Sequence, residues 1–171
     1  RTDGIGDLHL MALIPFMKKG QESLTVNIGF RAPTGSIRDR DTKSGAPDPR
    51  LGYSMQPGRG SWGFIPGLTY RGHWRDLSWG LQYKSVIWLN TNSLHYRPGT
   101  RYGATTWMAW SWADWVITSF RVGWDKWGNV HGGDREFGRY PYDQPNEDPM
   151  RQGGQRVDLA PGINFRIPCC G

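Results

Sequence analysis

The feature that most constrains this chain is a two-residue alternation of apolar and polar side chains. Its fullest example runs from Arg156 to Pro168. Val157, Leu159, Pro161, Ile163, Phe165 and Ile167 share one parity, and Asp158, Ala160, Gly162, Asn164 and Arg166 share the other. Strand side chains alternate faces with a period of two, so this segment, when extended, has one apolar face and one face of small, polar and charged groups. Pro161 and Gly162 would both weaken a helix interior.

The same pattern recurs along the 171 residues. Leu8, Leu10, Ala12, Ile14 and Phe16 share a face in residues 4–16, where the alternation is partial. Leu24, Val26, Ile28, Phe30 and Ala32 oppose Thr25, Asn27, Gly29 and Arg31. Trp62, Phe64, Pro66, Leu68 and Tyr70 oppose Gly63, Ile65, Gly67, Thr69 and Arg71. Leu77, Trp79, Leu81, Tyr83 and Ile87 oppose Ser78, Gly80, Gln82 and Lys84. Residues 104–113 are rich in Trp and small residues, and their two faces are hard to separate. Val116, Thr118, Phe120, Val122 and Trp124 oppose Ile117, Ser119, Arg121, Gly123 and Asp125. The pattern predicts seven strands, with Leu51, Tyr53 and Met55 marking a candidate eighth.

The connections alternate in length. Short turns at Lys18, His73 and Asp114 are interleaved with long segments over 33–60, 90–101 and 128–155. In an up-and-down meander every second connection lies at the same end, so the short turns gather at one end and the long loops at the other. Outer-membrane barrels have this asymmetry, and a soluble sandwich has no reason for it. The 24 Gly and 12 Pro argue against a helical protein. No run approaches the ~18 apolar residues of a membrane helix. The negative mean hydropathy does not exclude a membrane barrel, in which only every second residue faces lipid.

On that architecture the polar parity must face inward, because a charge facing lipid at mid-depth costs ~2–4 kcal/mol. The residues expected to line the lumen are Arg31, Arg71, Lys84, Arg121, Asp125, Asp158, Asn164 and Arg166. With Asp7 they form an Arg–carboxylate network that fills and rigidifies the interior; the functional alternative is a constriction that selects anionic or aromatic solutes. Trp62, Trp74, Trp88, Trp112, Trp115 and Trp124, with Trp127, fall near strand ends and turns and are expected at the membrane interfaces.

Other chemistry is not indicated. His9, His73, His95 and His131 have no ligand-like partners at close spacing, so no metal is expected. Asp134, Glu136, Asp143, Glu147 and Asp148 match no calcium-loop spacing and read as a solvated loop. There is no G-x-S-x-G, and Gly58-Arg59-Gly60 and Gly132-Gly133 precede no helix, so neither an enzyme nor a cofactor is expected. The net charge of +6 is spread through strands and loops without a basic cluster, which argues against nucleic acid. Adjacent Cys169 and Cys170 have no metal spacing and read as a terminal tail over 169–171, beyond a single domain over 1–168. The start at Arg1-Thr2-Asp3 reads as a processed form or a piece of a longer chain.

Gly4-Ile5-Gly6-Asp7-Leu8, Phe30-Arg31-Ala32-Pro33-Thr34-Gly35 and the segment Leu51 to Ser61 resemble the transporter-like outer-membrane proteins of the "MetA-pathway of phenol degradation" family. Asp148-Pro149, Gly153-Gly154, Arg156-Val157-Asp158-Leu159 and Gly162-Ile163-Asn164-Phe165 resemble it too. The resemblance covers most of the chain and rests mainly on turn glycines and strand starts. It implies a Gram-negative outer-membrane β-barrel associated with passage of aromatic or other small hydrophobic compounds, and it carries no catalytic residues. Members are typically longer on both sides, and Cys169-Cys170-Gly171 stands where a terminal aromatic is usual.

The expectation is therefore an all-β, antiparallel up-and-down meander forming a transmembrane β-barrel of about 8 or more strands in the bacterial outer membrane. Its partners would be the lipid bilayer, a small solute, and protein partners or further copies. The alternatives are a structural barrel subunit of an envelope assembly and a soluble, aromatic-rich, carbohydrate-binding β-sandwich. The last visible strand needs a neighbour on its outer edge, either residues 4–16 or a further strand.

Overall fold

The computed structural model describes residues 4–40, 50–137 and 145–166. The strands in chain order are β1 (Leu8–Lys19), β2 (Glu22–Ala32), β3 (Gly63–Trp74), β4 (Leu77–Trp88), β5 (Tyr96–Arg97), β6 (Arg101–Ala113), β7 (Val116–Trp127), β8 (His131–Gly132) and β9 (Gly154–Phe165). All but β5 and β8 join one seven-stranded sheet in the order β1-β2-β3-β4-β6-β7-β9. Every pairing in it is antiparallel between strands successive along the sheet. The all-β meander is as expected, and each of the seven strands of this sheet is eleven to thirteen residues long. Ile167, Asp143, Cys169 and Cys170 lie outside the described residues.

Prolines mark the irregular points of the ladder. Pro66 lies mid-strand in β3, and the β3–β4 register is interrupted between Phe64 and Gly67, where a residue without N–H cannot donate. Pro15 sits at the register shift in β1. Because neighbours alternate in direction, seven strands leave β1 and β9 running the same way. All of β1 is exposed, as is nearly all of β9, and among the described residues neither has a second sheet neighbour.

Burial is inverted relative to a water-soluble sheet. The apolar parity faces out, with Leu68 43% and Leu81 52% exposed, whereas Asn27 and Thr69 on the polar parity are 4% and 5% exposed. Asn27 Nδ2 and Gln82 Nε2 both donate to Thr69 Oγ1 at 3.0 Å, tying three strands together across that face. A sandwich would cover the apolar face with a second sheet. The other sheet among the described residues is the two-stranded β5–β8 ribbon, which lies in the loops.

The compact hydrophobic cluster lies outside the seven-stranded sheet. Tyr53, Tyr96 and Val130 pack together with Leu94 and Phe137, one or more from each of the three long connections. Tyr53 meets Tyr96 and Phe137 edge-on, with centroids 4.7 and 5.1 Å apart. The described parts of the long connections therefore form a folded cap at one end, and the three short turns lie at the other. Residues 51–55 are a turn rather than the extra strand considered from sequence, and Tyr53 is a core residue of the cap. A lone bridge between Arg40 and Arg50 is the extended pairing found there.

Candidate functional site: the polar face of the sheet

The strand register fixes which residues share the polar face. Across β1 to β3 and on to β4, His9, Arg31 and Gly63 lie in line with Trp88. The next row but one reads Leu13, Asn27, Gly67, Lys84, Gly103, Asp125 and Arg156. Towards the short turns, Ser23, Arg71, Gly80, Trp107, Arg121 and Ala160 form another row. Asp158 pairs with Gly123 and Asn164 with Ile117 on the same parity. All the lumen candidates within the strands thus share one face. Arg166 follows β9 and its N–H donates to the Trp115 carbonyl at 2.9 Å.

Ion pairs on this face gather at the cap end, and of the arginines expected in the network Arg31 alone has one among the described residues. Arg31 Nε donates to Asp7 Oδ2 at 2.8 Å, and the Asp7 side chain is fully buried. Asp7 also accepts from the backbone N–H groups of Gly35 and Arg59, both at 3.0 Å. The Arg31 guanidinium lies 5.0 Å from the Trp88 ring centroid. Asp125 pairs with Arg101 at 3.1 Å and Arg156 at 3.7 Å, and Arg156 bonds Asp158 at 2.8 Å. Arg71, Lys84 and Arg121 form no ion pair with any described residue.

Asp7 is a node that sequence reading undervalued. It draws together the three early segments quoted above, aided by Leu8 N–H donating to Thr34 Oγ1 at 2.8 Å and Gly58 N–H to the Ser36 carbonyl at 2.8 Å. A Cβ on Gly58 would lie 2.2 Å from the Gly35 carbonyl oxygen, so glycine at 58 permits this backbone contact.

The aromatic assignments divide. Trp62, Trp74, Trp112 and Trp115 are exposed at the two ends of the strands, and Trp124 faces outward with the apolar parity. Trp112 Nε1 donates to Thr118 Oγ1 at 2.9 Å, and Trp115 stacks on Phe165. Trp88 is buried, unlike these exposed indoles. It lies on the polar parity, 7% exposed, and its indole donates to the Gly99 carbonyl at 3.1 Å. Trp127 is on that parity too, with the Arg101 guanidinium 6.0 Å from its ring. Indoles on the polar face lie over glycines of a neighbouring strand: Trp88 beside Gly63, Trp107 over Gly80 and Trp127 over Gly154. Bulk on one strand is accommodated by its absence on the next.

Ion pairs hold the described part of the acidic loop. Asp134 pairs with Arg50, while Glu136 pairs with both Arg40 and Arg50 at 2.7 Å. Asp148 caps a short 3-10 turn by accepting from Met150 N–H at 2.9 Å. No group of three or more His, Cys, Asp or Glu among the described residues is placed to hold a metal. Within the cap, burial raises the Tyr96 phenol above its usual pKa and lowers that of the Arg59 guanidinium, which donates to the Tyr53 carbonyl at 2.6 Å. Trp107, Arg101 and Arg156 are polar-face residues outside the sequence-derived set.

No protein-family model matches the chain, and no curated protein matches it.

Proposed function

We propose that this chain forms wall of an outer-membrane-type β-barrel that provides a passive or facilitated route for small hydrophobic or aromatic solutes. The observation that carries this reading is the inverted sheet: large apolar side chains are exposed on one face and the polar face is the better buried one. In water that arrangement leaves a continuous apolar surface uncovered, whereas in a bilayer it is the expected one. The strand lengths support it. Twelve residues at roughly 3.3 Å each, tilted by the usual ~40°, cross about 30 Å, the thickness of a hydrocarbon core. Exposed Trp62 near the cap and Trp74, Trp112 and Trp115 at the short turns suit the two interfacial belts.

Short turns at one end and a folded cap at the other match the periplasmic and extracellular asymmetry of such barrels. The resemblance to the phenol-degradation outer-membrane family supplies the solute class, and it rests on the sequence segments alone. Two measurements test the reading. Unboiled protein in detergent should migrate differently from boiled protein on a gel, as folded barrels do. Liposomes containing the inserted protein should then admit small aromatic solutes; insertion without flux leaves a structural barrel and removes the transport role.

A further inference from the structure

We propose that the polar face carries, near the short turns, a subsite for a planar aromatic carboxylate, built on Arg71 and Trp107, with Arg121 beside the indole in the same row. The proposal rests on the reading above that this face lines an aqueous passage, and it names the solute that the passage would favour.

The geometry begins with one row of the register. Arg71 pairs with Gly80, Gly80 with Trp107, and Trp107 with Arg121, so the indole is flanked by a guanidinium-bearing residue on either side. Gly80 sets the pose of the ring. A Cβ there would lie 2.2 Å from Trp107 Cζ2, so the indole reaches across Gly80 toward Arg71. Beside it is a cavity of about 300 Å³ whose lining includes Ser23, Arg71, His73, Ser78, Trp79 and Trp107; Arg121 stands outside it, next to Trp107 in the register. That volume is at the small end of ligand sites, suited to a single ring with one substituent.

Charge selects the substituent. At the cap end each polar-face carboxylate is engaged: Asp7 by Arg31, Asp125 by Arg101 and Arg156, and Asp158 by Arg156. Arg71 and Arg121 have no carboxylate partner among the described residues. Guanidinium forks recognise carboxylates through paired N–H donors, and an indole face recognises a flat ring. Ser23 and Ser78 add hydroxyl groups to the cavity wall. A neutral aromatic would use the ring alone and acetate the guanidinium alone; an aromatic carboxylate uses both.

The test is equilibrium dialysis of the full-length folded protein in detergent micelles with benzoate, benzyl alcohol, cyclohexanecarboxylate or acetate. Benzoate should bind about tenfold more tightly than each of the others, the scale of one charge-assisted hydrogen bond or one stacking contact. Arg71→Gln and Trp107→Leu should each weaken benzoate binding about five- to tenfold, with heat-modifiable migration checking that the variants remain folded. Lys84→Gln, a cation on the same face outside the cavity, should leave binding within twofold. Equal binding of benzoate and benzyl alcohol, or full benzoate affinity in both Arg71→Gln and Trp107→Leu, would overturn the subsite. Benzoate binding without liposome flux would overturn the transport reading and leave the subsite standing, whereas flux with no benzoate preference would do the reverse.

Discussion

Leu81 and Gln82 are adjacent in β4 and point to opposite faces, so a charge placed at each position reports which face meets lipid. Leu81 is 52% exposed on the apolar parity near the middle of the strand. Gln82 is half-buried on the polar parity and donates to Thr69 Oγ1 at 3.0 Å. In a bilayer, Leu81→Arg places a cation close to mid-depth on the lipid face, which costs about 2–4 kcal/mol. That corresponds to between roughly 30-fold and several hundred-fold in the folding equilibrium. Gln82→Arg loses one neutral hydrogen bond, worth about 1 kcal/mol, in a face that already holds cations. Were the sheet surrounded by water, the order would reverse: an exposed Leu→Arg change is within about 0.5 kcal/mol of neutral. Reversible urea unfolding of each variant from lipid vesicles measures the difference. Leu81→Arg should be the more damaging, and a neutral Leu81→Arg beside a destabilising Gln82→Arg would refute the assignment of the apolar face to lipid.

Three other perturbations address other parts of the molecule. Gly80→Val forces a side chain into the Trp107 indole, where a Cβ alone would sit 2.2 Å from Cζ2. It should cost about 1–3 kcal/mol in the same urea assay, and Trp107→Leu in the same chain should recover most of the loss. Asp7→Ala leaves the Arg31 guanidinium and the Gly35 and Arg59 N–H groups without their acceptor, so the cap should become susceptible to protease while the sheet stays folded. An unchanged digestion pattern would show that Asp7 does not hold the cap. Burial keeps the Tyr96 phenol neutral above its usual pKa of about 10, whereas the unfolded cap ionises there. Cap stability is therefore full below pH ~10 and falls as pH rises past it, as hydrogen exchange of the loop amides should record. Tyr96→Phe should abolish that decline.

The strands were legible because their information is local. Leu77 to Ile87 alternate so regularly that their faces follow from parity, and the structure assigns those faces as the sequence does. The same rule places Trp88 opposite Ile87, on the polar side; treating it as an interface residue weighed its nearness to a strand end above its parity. Residues 104–113 concealed Trp107 because Ala104 and Thr106 are small outward residues while a bulky indole points inward, the reverse of the usual pattern. The connection lengths placed the long loops at one end, but the contacts that fold them into a cap were not legible. Its contacts join distant segments, as in Arg50 with Asp134 and Tyr53 with Tyr96, and no short-range period encodes them. Asp7 belongs with these, since its partners come from residues 31, 35 and 59.

Strand direction also bears on how such a sheet could close. The seven antiparallel strands leave β1 and β9 running the same way, so a direct seam between them would be parallel. A cyclic ring of copies around the membrane normal meets the same obstacle, because β9 of one copy and β1 of the next also run alike. Space argues in the same direction. The interior of an eight-stranded barrel is just wide enough for its side chains, and this polar face already carries Trp88, Trp107 and Trp127 with Arg31, Arg71, Arg101, Arg121 and Arg156. An all-antiparallel barrel therefore needs an odd number of further strands between β9 and β1. Cysteines at Ala12 and Leu159, with Cys169 and Cys170 replaced by Ser, test the seam in the inserted full-length protein. Oxidation should give no intramolecular disulfide between them or at neighbouring register positions, because an intervening strand holds the two about 10 Å apart or more. An efficient crosslink at any register would establish a direct parallel seam and refute the antiparallel closure.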